Sequence, residues 1–246
     1  MYSRMKILSL SVSEISFSDS VKEVAKLAAL RKPSYVCFAN VHMTIEAHQD
    51  PSFLEQVNGA DFVLADGMPI ATACRLLHNK KQDRISGMDF MPAILKVPGL
   101  RFFLYGSTQE VLDGLMASIS DKYPGAVVSG AISPPFRKLS DEEQTVYINQ
   151  INDSGANVVM VSLGCPKQEK WMATYSHRIN SVLLGVGGAF HVTAGLQKRS
   201  PKWMQVAGLE WVFRLAQEPG RLFKRYLVTN SMFIWLLIKS LVKGKS

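Results

Sequence analysis

What most restricts this chain is a recurrence. Short apolar runs stop at a turn-forming residue, and each is followed by a stretch whose apolar residues recur at helical spacing. Tyr35 to Ala39 stops at Asn40, Phe62 to Ala65 at Asp66-Gly67, and Arg101 to Tyr105 at Gly106-Ser107. Val158 to Leu163 stops at Gly164-Cys165-Pro166, and Ser181 to Val186 at Gly187-Gly188. Runs this short and this uniformly apolar read as strands covered on both faces. Lys6 to Val12, leading to a helix that ends near Leu30, and Val127 to Ile132 extend the series at either side. Strands alternating with helices predict an α/β fold, a parallel-sheet Rossmann-like core with helices on both faces. Thr108 has the chemistry of a helix cap, and Ser140-Asp141-Glu142-Glu143 has the spacing of a capping box.

The last fifty residues break the pattern. Residues 201 to 243 read as helices only, interrupted near Pro219-Gly220, so the expected domains are a core over 1–195 and a helical C-terminal appendage over 196–246. The formal net charge of +8 belongs to this appendage: residues 195 to 246 hold ten Lys and Arg against Glu210 and Glu218, while the rest is balanced. Between Arg225 and Lys239 runs an uncharged, aromatic-bearing segment, flanked by Arg221, Lys224, Lys243 and Lys245. It falls short of the ~20 apolar residues of a membrane span, and reads either as an interfacial helix on an anionic membrane surface or as a helix packed on the core or another subunit. A nucleic-acid binder would spread its basic residues over a folded face, so no nucleic-acid partner is expected.

Several familiar sites are missing from the sequence. It has no G-x-G-x-x-G, D-x-D or H-E-x-x-H, and Gly244-Lys245-Ser246 lacks the upstream glycine of a P-loop. Cys37, Cys74 and Cys165 are far apart and read as buried free thiols. The five histidines show no metal spacing, so neither a metal nor a cofactor is expected. No secretory leader is recognisable at the start, which favours the cytoplasm.

Three features stand at strand ends, where open α/β sheets bind ligands. Asp66 is a base or hydroxyl-binding group, or merely the cap of the next helix, and Asn40 lies at a neighbouring strand end. The helix start Gly164-Cys165-Pro166-Lys167-Gln168-Glu169 offers backbone N–H groups to an anion, or is an ordinary amphipathic helix with Gln168 and Glu169 in solvent. Gly187 and Gly188, with His191 beyond them, allow close approach of a ligand.

Together these segments resemble the WecG/TagA/CpsF family of bacterial glycosyltransferases over nearly the whole chain. The likeness is carried by Asn40, Ala65-Asp66-Gly67, Arg84-Ile85-Ser86-Gly87-Met88-Asp89, Leu104-Tyr105-Gly106, Gly164 to Glu169, Gly185 to Phe190, Arg199-Ser200-Pro201 and Gly208-Leu209-Glu210-Trp211. The resemblance implies an inverting, metal-independent enzyme that moves a sugar from a UDP-sugar to a polyprenyl-diphosphate-linked saccharide, in cell-surface polysaccharide assembly. It implies a peripheral protein on the cytoplasmic face of the plasma membrane, and leaves room for a homo-oligomer. Asp66 would be the general base, with Asn40 and Arg84 in the same pocket. Gly106, Gly164, Lys167, Gln168, Glu169, Gly187, Gly188 and His191 would lie about the substrates, and Arg214, Arg221 or Arg225 would approach the diphosphate while the appendage closes the site. Phe38-Ala39-Asn40 and His191 depart from the family pattern, where many relatives have a Thr-Pro-Asn-like segment and an acid. N-acetylmannosamine, its uronic acid, glucose and glucuronic acid therefore all stand as donor sugars. The rival from another class is a non-catalytic nucleotide-sugar-binding subunit that recruits a partner enzyme.

Overall fold

The computed structural model describes residues 2–243; Gly244, Lys245 and Ser246, named above for the P-loop comparison and the basic flank, lie outside the described residues. The elements run β1 (Arg4–Ile7), β2 (Leu10–Ser13), α1 (Phe17–Ala29), β3 (Ser34–Ala39), α2 (Val41–Gln49), α3 (Pro51–Asn58), β4 (Phe62–Ala65), α4 (Met68–His78) and α5 (Gly87–Ile94). There follow β5 (Arg101–Gly106), α6 (Gln109–Lys122), β6 (Val127–Ile132), α7 (Asp141–Asp153), β7 (Val158–Ser162), α8 (Lys167–Tyr175) with a short 3₁₀ turn, and β8 (Val182–Leu184). The chain closes through α9 (Ala189–Thr193), α10 (Lys202–Val206), α11 (Glu210–Gln217) and α12 (Pro219–Lys243).

The fold is α/β, built on a six-stranded parallel sheet in the order β4-β3-β8-β7-β5-β6 with helices around it. Every residue of β3, β4, β7 and β8 is buried, whereas edge strand β6 is half-exposed along its length. This is what continuous Val/Leu/Ala runs predict, because a strand covered on both faces has no position for a polar side chain. Removing most of a side chain there, as in Leu64→Ala, costs about 2–5 kcal/mol through lost burial and the cavity left behind. The expected caps are present: Thr108 accepts from Val111, and Ser140 and Glu143 form a reciprocal capping box.

The expected first strand is corrected. Lys6 to Val12 is not one strand of the parallel sheet but the inner part of an antiparallel hairpin, with Ile7 paired to Leu10. Its tight turn uses Leu8 at φ 58°. Such turns ordinarily advertise themselves with Gly or Asn, and a leucine in the left-handed region gives the sequence no such mark.

The residues divide into two compact units. The first holds Met1–Phe17, Phe38–Ser86 and Arg199–Ser246, and the second Ser18–Cys37 and Gly87–Lys198. Within the first, α12 packs along α2 and α4. Its buried positions Leu222, Thr229, Phe233 and Leu236 recur at helical intervals, forming one face. The opposite face keeps Phe223, Leu227, Ile234, Trp235 and Ile238 more than half exposed. Among the described residues no helix is long and apolar enough to cross a membrane.

Candidate active site

In the first unit the backbone itself assembles a cluster. Asp66 N–H donates to the Ala39 carbonyl (2.9 Å) and Ile85 N–H to the Ala65 carbonyl (2.8 Å). Three residues distant in sequence, Asn40, Asp66 and Arg84, thereby emerge side by side. Asp66 does not cap α4: the capping position belongs to Gly67, at φ 94°, and no side chain caps that helix. Asn40 does cap α2, its Oδ1 accepting from Met43 N–H at 3.1 Å. That bond consumes the amide oxygen and leaves the amide N–H groups for the Asp66 carboxyl, to which Asn40 is hydrogen-bonded.

The carboxyl of Asp66 retains some solvent contact but is crowded by protein. Burial is the main cause pushing its pKa up to about 7, and the Glu210 carboxylate adds to this. Arg84, Arg214 and the Asn40 hydrogen bond pull in the opposite direction without reversing it. Glu210 opens α11 and pairs with Arg84 at 2.7 Å. Arg214 lies four residues on, hence on the same helix face. The Nε atoms of Arg214 and Arg225 are buried without a hydrogen-bond partner, although the Arg225 guanidinium stacks 5.4 Å from the Tyr226 ring centroid. Arg221 is exposed and ion-paired to Glu218. A carboxyl group half-protonated near neutrality, flanked by an amide and two guanidinium groups, can accept a proton from a hydroxyl while the cations meet an anion.

The second unit holds the other sequence-predicted residues. Gln168 and Glu169 are buried, not solvated. Gln168 Nε2 donates to the Gly185 carbonyl (2.9 Å) and to Glu169 Oε1 (2.6 Å), while Gln168 Oε1 and Glu169 Oε2 have no hydrogen-bond partner. Burial pushes the Glu169 carboxyl up to about 7. Lys167 and Gly164 are exposed at the start of α8, and His191 is half-buried on α9. Gly187, at φ 50°, lies against Gln168, where an added Cβ would stand 3.4 Å from Oε1, and Gly188 caps α9. Gly106 has a structural reason as well: any Cβ there would collide with the Ser162 carbonyl. Ser162 Oγ in turn donates to the Gly187 carbonyl at 3.0 Å, so the carboxyl ends of β5, β7 and β8 are laced together. Tyr105 stacks on Trp171 at 4.5 Å between ring centroids beneath them. Among the described residues, no cluster of three or more His, Cys, Asp or Glu stands close enough to hold a metal.

A conserved-family model decides what this arrangement belongs to: the description "Glycosyl transferase WecG/TagA/CpsF family" matches residues 5–246. The chain belongs to the WecG/TagA/CpsF family of glycosyltransferases. It is 34% identical over 192 residues to the N-acetylglucosaminyldiphosphoundecaprenol N-acetyl-β-D-mannosaminyltransferase of Bacillus subtilis (strain 168), covering 76% of this chain and 73% of that one. It is 28% identical over 215 residues to the enzyme of the same name from Staphylococcus aureus (strain MW2), covering 86% and 82%. Against the protein of that name from Staphylococcus aureus (strain NCTC 8325 / PS 47), identity is 30% over 184 residues, covering 73% and 70%. The chain is thus a glycosyltransferase, and the family resemblance carried by its motifs holds over nearly its full length.

Sequence reasoning gave no role to Glu210. It stood in the Gly208-Leu209-Glu210-Trp211 segment only as part of a likeness. The available signal was its i, i+4 relation to Arg214, which marks a shared helix face but not which carboxyl group that face meets.

Proposed function

We propose that this glycosyltransferase moves N-acetylmannosamine from its UDP-sugar to an undecaprenyl-diphosphate-linked N-acetylglucosamine, with Asp66 as general base. The sugar and acceptor follow from the names of its relatives. The carrying observation is the Asp66 carboxyl, held by Asn40 between cations with its pKa at about 7. The acceptor hydroxyl oxygen attacks the anomeric carbon as its proton passes to Asp66. The bond from that carbon to the UDP oxygen breaks, and UDP leaves with the electron pair. One displacement inverts the anomeric configuration. The charge developing on the leaving diphosphate needs cationic or N–H donors; Arg214 and Arg225, whose Nε atoms lack partners, supply them, and no metal is required. In this reading Gln168 and its neighbours serve the donor sugar-nucleotide, a role that rests on the family resemblance.

The enzyme works as a peripheral protein at the cytoplasmic face of the membrane where its lipid-linked acceptor resides. Supporting this, exposed large apolar side chains concentrate in the C-terminal segment, with Trp203, Val206, Trp211, Phe223, Leu227, Trp235 and Val242 among them, and Lys239 sits over the Trp235 ring. Aromatic and basic side chains together suit the headgroup region of an anionic bilayer.

The test is a panel of UDP-sugars offered with undecaprenyl-diphosphate-N-acetylglucosamine in anionic vesicles. UDP-N-acetylmannosamine is expected to give the disaccharide, and Asp66→Asn to lower kcat on the order of 10²–10⁴-fold in a folded protein. Near-wild-type turnover by the variant would remove Asp66 from the chemistry. Donor binding without turnover for every acceptor tried would instead favour the non-catalytic subunit.

A further inference from the structure

We propose that Glu210 is a positioning residue for the Asp66 base, engaging the Arg84 guanidinium so that this cation does not lock onto the carboxylate that must take the proton. The inference rests on the reading of Asp66 as base and adds to it a reason for a second acid beside the site.

The geometry is specific. Glu210 Oε2 accepts from Arg84 at 2.7 Å, and both side chains are largely shielded from solvent, at 15% exposure for Arg84 and 23% for Glu210. Shielding of that order keeps an ion pair from being dissolved by water and salt. The segment bearing Glu210 is itself tied down. Gln205 Nε2 donates to the Ser200 carbonyl (2.7 Å), Arg199 donates to Gln205 Oε1 (3.1 Å), and Ser200 Oγ reaches Glu210 Oε1 at 3.5 Å. Gly208, at φ 73°, passes so near Met68 that an added Cβ would stand 3.1 Å from that side chain. Met68 opens α4, two residues after Asp66, so the turn before Glu210 is seated against the segment that carries the base.

The groups facing Asp66 are Glu210 and Arg214 from α11, Arg84 from the segment before α5, and Asn40 at the start of α2. Two cations would by themselves draw the carboxyl toward a permanent, weakly basic ion pair. Glu210 offsets one of them and adds a like charge. Each consequence raises the proton affinity of the Asp66 carboxyl, leaving its ionised form basic enough to accept a hydroxyl proton.

The experiment compares wild type, Glu210→Gln, Glu210→Asp and Asp66→Asn as full-length protein with the same donor and vesicles from pH 5 to 9. For Glu210→Gln the acid limb of kcat is expected to move to lower pH. Its plateau should fall on the order of threefold to tenfold as the base weakens, with KM for donor and acceptor within twofold of wild type. Glu210→Asp should restore part of the displacement. A limb that stays in place while kcat falls would reduce Glu210 to a structural brace and overturn the proposal, as would a loss confined to KM. Should Glu210→Gln lose its cooperative melt, Glu210→Asp decides alone: its shorter side chain loosens the Arg84 pair, and an unmoved limb overturns the proposal. If Asp66→Asn itself turns over, the reading of the base fails; if it is inactive and only the limb is unmoved, the Glu210 inference fails by itself.

Discussion

Replacing Asp66 with asparagine should make this protein more stable while removing its activity, and the gain should depend on pH in a defined sense. The folded-state pKa of Asp66 is about 7 against an ordinary value of 3.8. Between those two pH values the unfolded chain has released the proton and the folded chain still holds it. Stability therefore falls as pH rises through that window, because ionising the carboxyl is harder in the fold than in water. At about 1.4 kcal/mol per pH unit, the full window amounts to roughly 4 kcal/mol at pH 8, and to about a third of that at pH 5. Asparagine keeps the shape of the aspartate, exchanges one acceptor oxygen for an NH2 donor, and carries no charge to desolvate. Urea unfolding of wild type and Asp66→Asn should show the variant ahead at pH 8, with the difference shrinking at pH 5 and vanishing near pH 4. A variant less stable than wild type at pH 8, or a difference indifferent to pH, would refute the claim that burial holds the Asp66 carboxyl in its neutral form. Stability given up at a single carboxyl is what an acid kept for chemistry predicts, and what a helix cap does not.

The same carboxyl should govern the rate. Transfer is expected to rise about tenfold per pH unit below 7 and to level off above it, since only the ionised form accepts a proton; a profile flat from pH 5 to 8 would contradict this. Glu169 also titrates near 7, so Glu169→Gln should leave that limb in place if the limb belongs to Asp66. Gly106→Ala should destabilise the protein by about 3 kcal/mol, because φ is 113° and the new Cβ meets the Ser162 carbonyl; an unchanged urea midpoint would show that β5 and β7 can part without penalty. Trp203→Ser combined with Trp235→Ser, both at exposed positions, should weaken sedimentation with anionic vesicles on the order of tenfold or more and leave the melt unaltered. Equal sedimentation of the double variant would place the membrane contact elsewhere.

How far the sequence was legible depended on whether an element's identity is local. The buried strands were readable because covering both faces demands a run of apolar residues, and the run stops where the strand does. Caps were readable for the same reason: Thr108 and Ser140 act on N–H groups three residues away. The hairpin at the start was not, because its turn rests on Leu8 in a conformation the sequence does not mark. The fate of Gln168 and Glu169 was not legible either. A polar pair at a helix start reads as solvated until the Gly185 carbonyl is known to lie over it.

The site shows the same division at higher resolution. That Asn40 and Asp66 stand at strand ends is local information, but that they touch follows from one hydrogen bond, Asp66 N–H to the Ala39 carbonyl, between neighbouring strands. Arg84 joins them through a second backbone bond, from Ile85 to Ala65. Up to this point the site is a consequence of sheet pairing and could stand on strand ends alone. Glu210 and Arg214 differ in kind: they come from a helix more than 120 residues beyond Arg84 in the chain, delivered by packing of the C-terminal helices on α2 and α4, the elements that begin beside Asn40 and Asp66. The charge that tunes the base and the exposed apolar face that suits a membrane thus belong to one continuous C-terminal segment. Whatever shifts that segment alters the field at Asp66, because at these separations in a shielded site a displaced carboxylate or guanidinium changes the carboxyl's proton affinity directly.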